Sequence, residues 1–329
     1  MRFFLGLLVL ICAAPHAAGN PPQFAETPPP DTSITTTLPP AEPALNNVEE
    51  VTVEAPEPRY VAPTRRDRIG RVWAPVMING RGPFRLVLDT GANGSAVVKS
   101  VAQRLGISTL NTKTVQLHGV TGSATVPTIE VDRIEVGDLM LEGKRLPVVS
   151  DVFGGAEGVL GTEGLADKRI HIDFGHDAIS IMRSKRQRTE PGFASIPLTF
   201  GRDRLLHMQI MIGRVPVTAI LDTGAQITVG NHALRDLLKR RRSQDLLSQD
   251  IIGVTLDVAK GEVMPIPTMH IGTIQVSNLN LTFGDMFIFQ HWKLVREPAL
   301  LIGMDIIGSF DVMIIDYRKK ELQIRARRG

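Results

Sequence analysis

Cysteine is almost missing from this sequence. Cys12 is the only one in 329 residues, and it lies in the N-terminal apolar segment. Cysteine nucleophiles, thiolate metal sites and a disulfide framework are thereby excluded for the rest of the chain. Aromatic residues make up only 5% of it, with two Trp and two Tyr, so Trp73 and Trp292 read as packing residues rather than a ligand platform. The eight histidines are scattered with no H-E-x-x-H pair, and there is neither a G-x-S-x-G elbow nor a P-loop. The sequence signatures of zinc proteases, serine hydrolases and P-loop NTPases are therefore missing, and no metal or cofactor is expected. Charge of one sign is lacking too: 37 basic residues are interspersed with 34 acidic ones, which argues against a nucleic-acid partner. The longest apolar run, residues 3–14, is too short to span a bilayer comfortably.

That run does have a use. Arg2, the apolar residues and the small residues Ala17-Ala18-Gly19 form the three parts of a secretory signal peptide, residues 1–19. Ile11 precedes Cys12 where a lipoprotein signal would want a small residue, so cleavage after Gly19 is expected, giving a periplasmic or secreted protein without stable membrane insertion. Residues 20–66 are rich in Pro and Thr, with Glu49, Glu50, Glu54 and Glu57 and few large apolar side chains. They read as a disordered linker, in which residues 48–53 are a minor candidate for an added edge strand. The remainder is 43% hydrophobic by whole-chain composition, enough for two moderate cores.

What the chain has is a repeat. Asp89-Thr90-Gly91-Ala92 closes the apolar run 84–88, and Asp222-Thr223-Gly224-Ala225 closes the run 215–221. Each Asp thus stands where a buried strand ends. The glycines allow a sharp turn and close approach of another group, and the threonine hydroxyls can fix the turn. A helix-like segment follows each motif, 97–105 ended by Gly106, and 232–241. Its basic end Lys239-Arg240-Arg241-Arg242 suits the C-terminal turn of a helix dipole. Next come two hairpins with polar tips, carrying Gly119-Val120-Thr121 and Gly253-Val254-Thr255 at nearly equal distances past their aspartates. Each is able to project as a mobile flap. Then come Val159-Leu160-Gly161 and Leu301-Ile302-Gly303, a short helix-like piece after each, and a closing hairpin, 170–181 and 312–324. Short strands dominate, so the fold class is mainly β, with two closed β-barrel lobes. The charged stretch 183–192 marks the boundary between a lobe at 67–187 and a lobe at 188–329.

The order of these elements resembles the retropepsin-like (retroviral-type) aspartic peptidases in a bacterial secreted form, with two units fused in one chain as in the bilobal pepsins. The resemblance covers about residues 68–327. It implies the acid protease fold with a pseudo-twofold axis, Asp89 and Asp222 as catalytic dyad, Thr90, Gly91, Thr223 and Gly224 as their support, and residues 119–121 and 253–255 over a peptide substrate. Two carboxyl groups sharing one proton provide a base for water and an acid for the leaving group. The sequence departs from the pepsin pattern in lacking a flap tyrosine and in placing Ala92 and Ala225 where pepsin-like enzymes commonly carry Ser or Thr. Without those hydroxyl donors the pair should keep its proton to higher pH, implying a weakly acidic optimum. Three readings remain open: an endopeptidase acting as a monomer on peptides or proteins, a catalytically silent peptide-binding module of the same fold, and a homodimer pairing like aspartates across chains.

Overall fold

In the computed structural model, the described residues are 71–186, 188–201, 205–239 and 247–327, together with the strands Phe3–Phe4 and Val61–Pro63. The signal segment apart from Phe3–Phe4, the linker up to residue 60 and the basic residues 240–242 lie outside them.

The first lobe is built on alternation. Trp73–Ile78 buries every second residue, and its partner Arg81–Leu88 turns wholly apolar over its last three positions. Strands buried on both faces read as such continuous runs. Arg81–Leu88 is followed in space by Gly158–Leu160, parallel to it, then by Ala96–Val98 and Leu139–Val149. The long strand Ser123–Val136 pairs with both Leu139–Val149 and Trp73–Ile78. Six strands thereby close into a barrel. Thr114–His118 extends the long strand outward as the first flap hairpin, with Phe3–Phe4 parallel to its end.

The second lobe repeats the order with interruptions. Leu206–Ile212, Val215–Leu221, Ala299–Ile302, Val229–Gly230, Asn280–Phe283 and Val258–Pro265 pair in sequence. Where the first lobe has one long strand, the second has Val258–Pro265 and Met269–Ile271, separated by a break that holds Pro267. Proline has no N–H to give a ladder, so the ring is completed through the covalent chain and a hydrogen bond from Ile266 N to Leu279 O, 3.0 Å.

A third sheet joins the lobes, in the order Ala194–Pro197, Glu321–Ala326, Phe310–Asp316, Lys168–Asp173, Ala178–Arg183 and Val61–Pro63. Its centre pairs Ile170 with Ile315 and Ile172 with Met313 across the halves. Each half gives a closing hairpin and a leading edge strand, and Val61–Pro63 comes from within the stretch read as linker. Phe174 N donates to Asp311 O at 2.9 Å, and Tyr317 N to Lys168 O at 3.1 Å, a pair of bonds related by the pseudo-twofold.

The helices are shorter than their sequence patterns suggest. Ala96–Val98 is a strand, as its β-branched residues favour, and the helix starts only at Lys99–Leu105, ending at Gly106 in the left-handed conformation, φ 75°. The second helix is His232–Leu238, capped by the Asn231 side chain accepting from Leu234 N at 2.9 Å. A helical piece follows Gly303, Met304–Ile307, but after Gly161 the chain only turns. Among the described residues no helix is long and apolar enough to cross a membrane.

Candidate active site

Each aspartate is fixed by a parallel strand. Leu88 pairs with Leu160, and Asp89 N donates to Leu160 O at 3.0 Å. Leu221 pairs with Ile302, and Asp222 N donates to Ile302 O at 2.9 Å. Past the turn the chain is held again, by Thr162 N to Ala92 O at 2.9 Å and Met304 N to Ala225 O at 2.8 Å. The two apolar-apolar-Gly segments therefore lie across the loops that carry the aspartates.

The threonines join the loops to each other. Thr90 Oγ1 donates to Leu221 O at 2.7 Å and accepts from Thr223 N at 3.2 Å. Thr223 Oγ1 donates to Leu88 O at 2.6 Å and accepts from Thr90 N at 3.1 Å. All four bonds are buried, so each hydroxyl satisfies two polar groups that would otherwise be stranded. This crossed arrangement brings Asp89 and Asp222 together, each 1% exposed, so close that the Asp222 carboxyl raises the pKa of the Asp89 one. A Cβ on Gly91 would stand 2.4 Å from Asp222 Cγ, and one on Gly224 2.4 Å from Asp89 Oδ2. Only glycine permits that approach.

The backbone donors are not equal. Asp89 Oδ1 accepts from Gly91 N at 2.9 Å, whereas Asp222 Oδ1 accepts from Gly224 N at 2.9 Å and from Ala225 N at 3.0 Å. Burial, then the charge of Asp222 and the hydrogen bond to it, hold the Asp89 carboxyl well above its ordinary pKa. The Gly91 N–H and the buried Arg71 guanidinium pull weakly the other way. Arg71 itself is tied to Phe153 O at 2.8 Å. Tyr317, buried near the pair, is pushed above its usual value by burial and by Asp89, and so stays neutral.

Two further braces escaped the sequence reading. Glu163 Oε1 accepts from Ser95 N at 2.7 Å while Ser95 Oγ accepts from Gly161 N at 3.0 Å. Asp305 accepts from Thr228 N at 2.9 Å and Thr228 Oγ1 at 2.6 Å, while Thr228 Oγ1 accepts from Gly303 N at 3.0 Å. The matched positions carried the signal: a hydroxyl residue six beyond each Asp and an acid two beyond each Gly. Burial raises both carboxyls' pKa against the lowering by these hydrogen bonds. Asn93-Gly94-Ser95, which fits a glycosylation sequon, is thus part of the loop that supports Asp89.

The flap tips do not project freely. Val120 is 1% exposed and Val254 3%, and full burial of one such side chain contributes about 1.5–3 kcal/mol. Thr121 Oγ1 accepts from Gly253 N at 3.1 Å, and a Cβ on Gly119 would meet Val254 Cγ1 at 3.0 Å. Gly119, Val120 and Thr121 therefore meet Gly253, Val254 and Thr255 tip to tip. Trp292, buried, packs its edge on Phe289, and the Arg85 guanidinium lies 5.1 Å over the Trp73 ring. Among the described residues no group of three or more His, Cys, Asp or Glu is placed to hold a metal ion.

Two family models match in tandem. Residues 74–167 match one described as "gag-polyprotein putative aspartyl protease", and residues 208–306 match one described as "Aspartyl protease". The chain belongs to the retropepsin-like aspartyl protease family. It carries two such domains, and each match contains one D-T-G-A motif. No curated protein shows significant similarity to the chain.

Proposed function

We propose that this aspartyl protease family member is a secreted or periplasmic endopeptidase in which Asp89 and Asp222 activate one water against a peptide bond. The single observation that carries the reading is the pair of buried carboxyls, each packed against the glycine of the other's loop at the pseudo-twofold axis. Two like charges buried side by side cannot both ionise readily, so the pair holds one proton. The extra Ala225 donor favours negative charge on Asp222, which leaves the proton on Asp89. Asp222 then takes a proton from water as it attacks the carbonyl carbon, while Asp89 gives its own to the carbonyl oxygen. Collapse of the tetrahedral intermediate passes a proton to the leaving nitrogen and restores the shared proton. Asp89 and Asp222 belong to one chain, which supports an intramolecular site in a monomer.

Incubating the mature chain with a diverse peptide mixture, beside the Asp89→Asn variant, tests the reading. Internal cleavage by the wild type and none by the variant is expected. No cleavage by either at any pH between 3 and 8, as a rough working range, would leave only a peptide-binding module.

A further inference from the structure

The second lobe carries a feature with no counterpart in the first. The connection after Asn280–Phe283 runs to residue 298 and contains the helix Phe287–His291, whereas the matching first-lobe connection, residues 150–157, contains no helix. The first flap sits on this helix. The His118 ring stacks on His291, centroids 4.4 Å apart at 27°, and on Phe287 at 5.8 Å and 15°. Ile288 N, in the first helical turn where no intrahelical carbonyl is available, donates to Val120 O at 3.1 Å. Val120 itself belongs to the second lobe's apolar cluster with Ile220, Ile251, Ile288 and Leu301. The flap of one lobe is thereby anchored in the other by a ring stack, a backbone bond and a buried side chain.

The second flap has a smaller dock: Val254, 3% exposed, is buried in the main core cluster, but among the described residues no ring stack or helix amide holds its tip. It is joined to the first through Gly253 N and Thr121 Oγ1, and Gly122 lies so close to Asp257 that a Cβ there would overlap its carboxylate. Its outermost residue, Leu256, is 54% exposed. The second flap therefore moves only by withdrawing Val254 and breaking its bond to Thr121.

We propose that the Phe287–His291 helix is a latch that holds the resting protein shut, and that substrate enters when His118 and Val120 leave it. This rests on the peptidase reading only for what the opened cleft admits. The dyad is 1% exposed while the latch is closed, and this opening is the step proposed to admit a peptide to it. Since only the open fraction binds, loosening the latch raises apparent affinity in proportion to that fraction.

The test uses the mature full chain, read by hydrogen exchange and by peptide hydrolysis. His291→Ala and, independently, His118→Ala remove the stack. Each is expected to raise exchange at the Ile288 and Gly253 amides about three- to tenfold, the worth of an aromatic pair, with Asp89 and Asp222 amides unchanged. KM for a long peptide should fall by a similar factor with kcat little altered, and His291→Phe, which restores a ring, should return both readouts toward wild type. Unchanged exchange at Ile288 in both alanine variants, or an Ile288 amide that exchanges in the wild type as fast as an exposed one, overturns the latch. The exchange arm is independent of turnover, so a working latch in a chain that cleaves nothing would sink the peptidase reading and spare this one.

Discussion

Replacing Thr90 by Val keeps the shape of the side chain and removes one oxygen. That oxygen donates to Leu221 O at 2.7 Å and accepts from Thr223 N at 3.2 Å, both buried. The variant strands a carbonyl and an N–H with no route to water. Each stranded group costs about 1–3 kcal/mol, and the new methyl returns a little through packing, so the loss should be about 2–5 kcal/mol. For a folded part of this size that corresponds to a fall in Tm of roughly 5–15 °C. Urea unfolding of the mature chain measures it, with Thr125→Val as control. Thr125 Oγ1 donates to Gln116 in an exposed pair, and its loss should stay within about 0.5 kcal/mol. Thr90→Ser keeps the hydroxyl and should remain close to wild type. A Thr90→Val loss no larger than the control's would refute the view that the crossed threonines hold the two halves together.

Three other outcomes follow from the same geometry. Gly91→Ala puts a Cβ 2.4 Å from Asp222 Cγ, so kcat/KM should drop at least about 100-fold through misplacement of the carboxyls, and activity within about threefold of wild type would contradict this. The Asp89 carboxyl is raised by folding, so between its unfolded pKa and its higher folded one the native state binds more protons than the unfolded state. The pair's contribution to stability is therefore fully present at low pH and is lost as pH rises through the folded pKa; Asp89→Asn should flatten that part of the urea-midpoint profile, and an equal slope in both proteins would count against it. Ala92→Ser with Ala225→Ser adds hydroxyl donors near the carboxylates, which should lower the upper apparent pKa of the kcat/KM profile; an unmoved limb would show that the hydroxyls do not reach.

The sequence exposed what is local and what is repeated. Strand ends at Asp89 and Asp222, the hairpins, the two apolar-apolar-Gly segments and the β-barrel class are all written in short-range alternation and in the doubling of a motif. The start of the first helix differs because Val97 and Val98 suit both a helical period and a strand, and pairing with Val148 and Val149 decides for the strand; the second starts at His232 as its pattern predicts. The central sheet, in which Ile170 meets Ile315, depends on partners far apart in the chain, and no local pattern specifies that register. The Ser95–Glu163 and Thr228–Asp305 braces were visible only as equal spacings whose meaning requires the loops to be folded. The flaps read as free because Gly and polar residues make up most of each tip, Gly119-Val120-Thr121-Gly122-Ser123 and Gly253-Val254-Thr255-Leu256-Asp257. Val120 and Val254, one apolar residue in each, turn out to anchor them.

The most direct test of the shared site is turnover of one peptide by the wild type, Asp89→Asn, Asp222→Asn and the double variant. Two carboxyls acting as one unit predict that each single change abolishes cleavage and that the double costs little more than either. Substantial cleavage surviving in either single variant, or single losses that multiply in the double, would mean that the two aspartates do not serve one water.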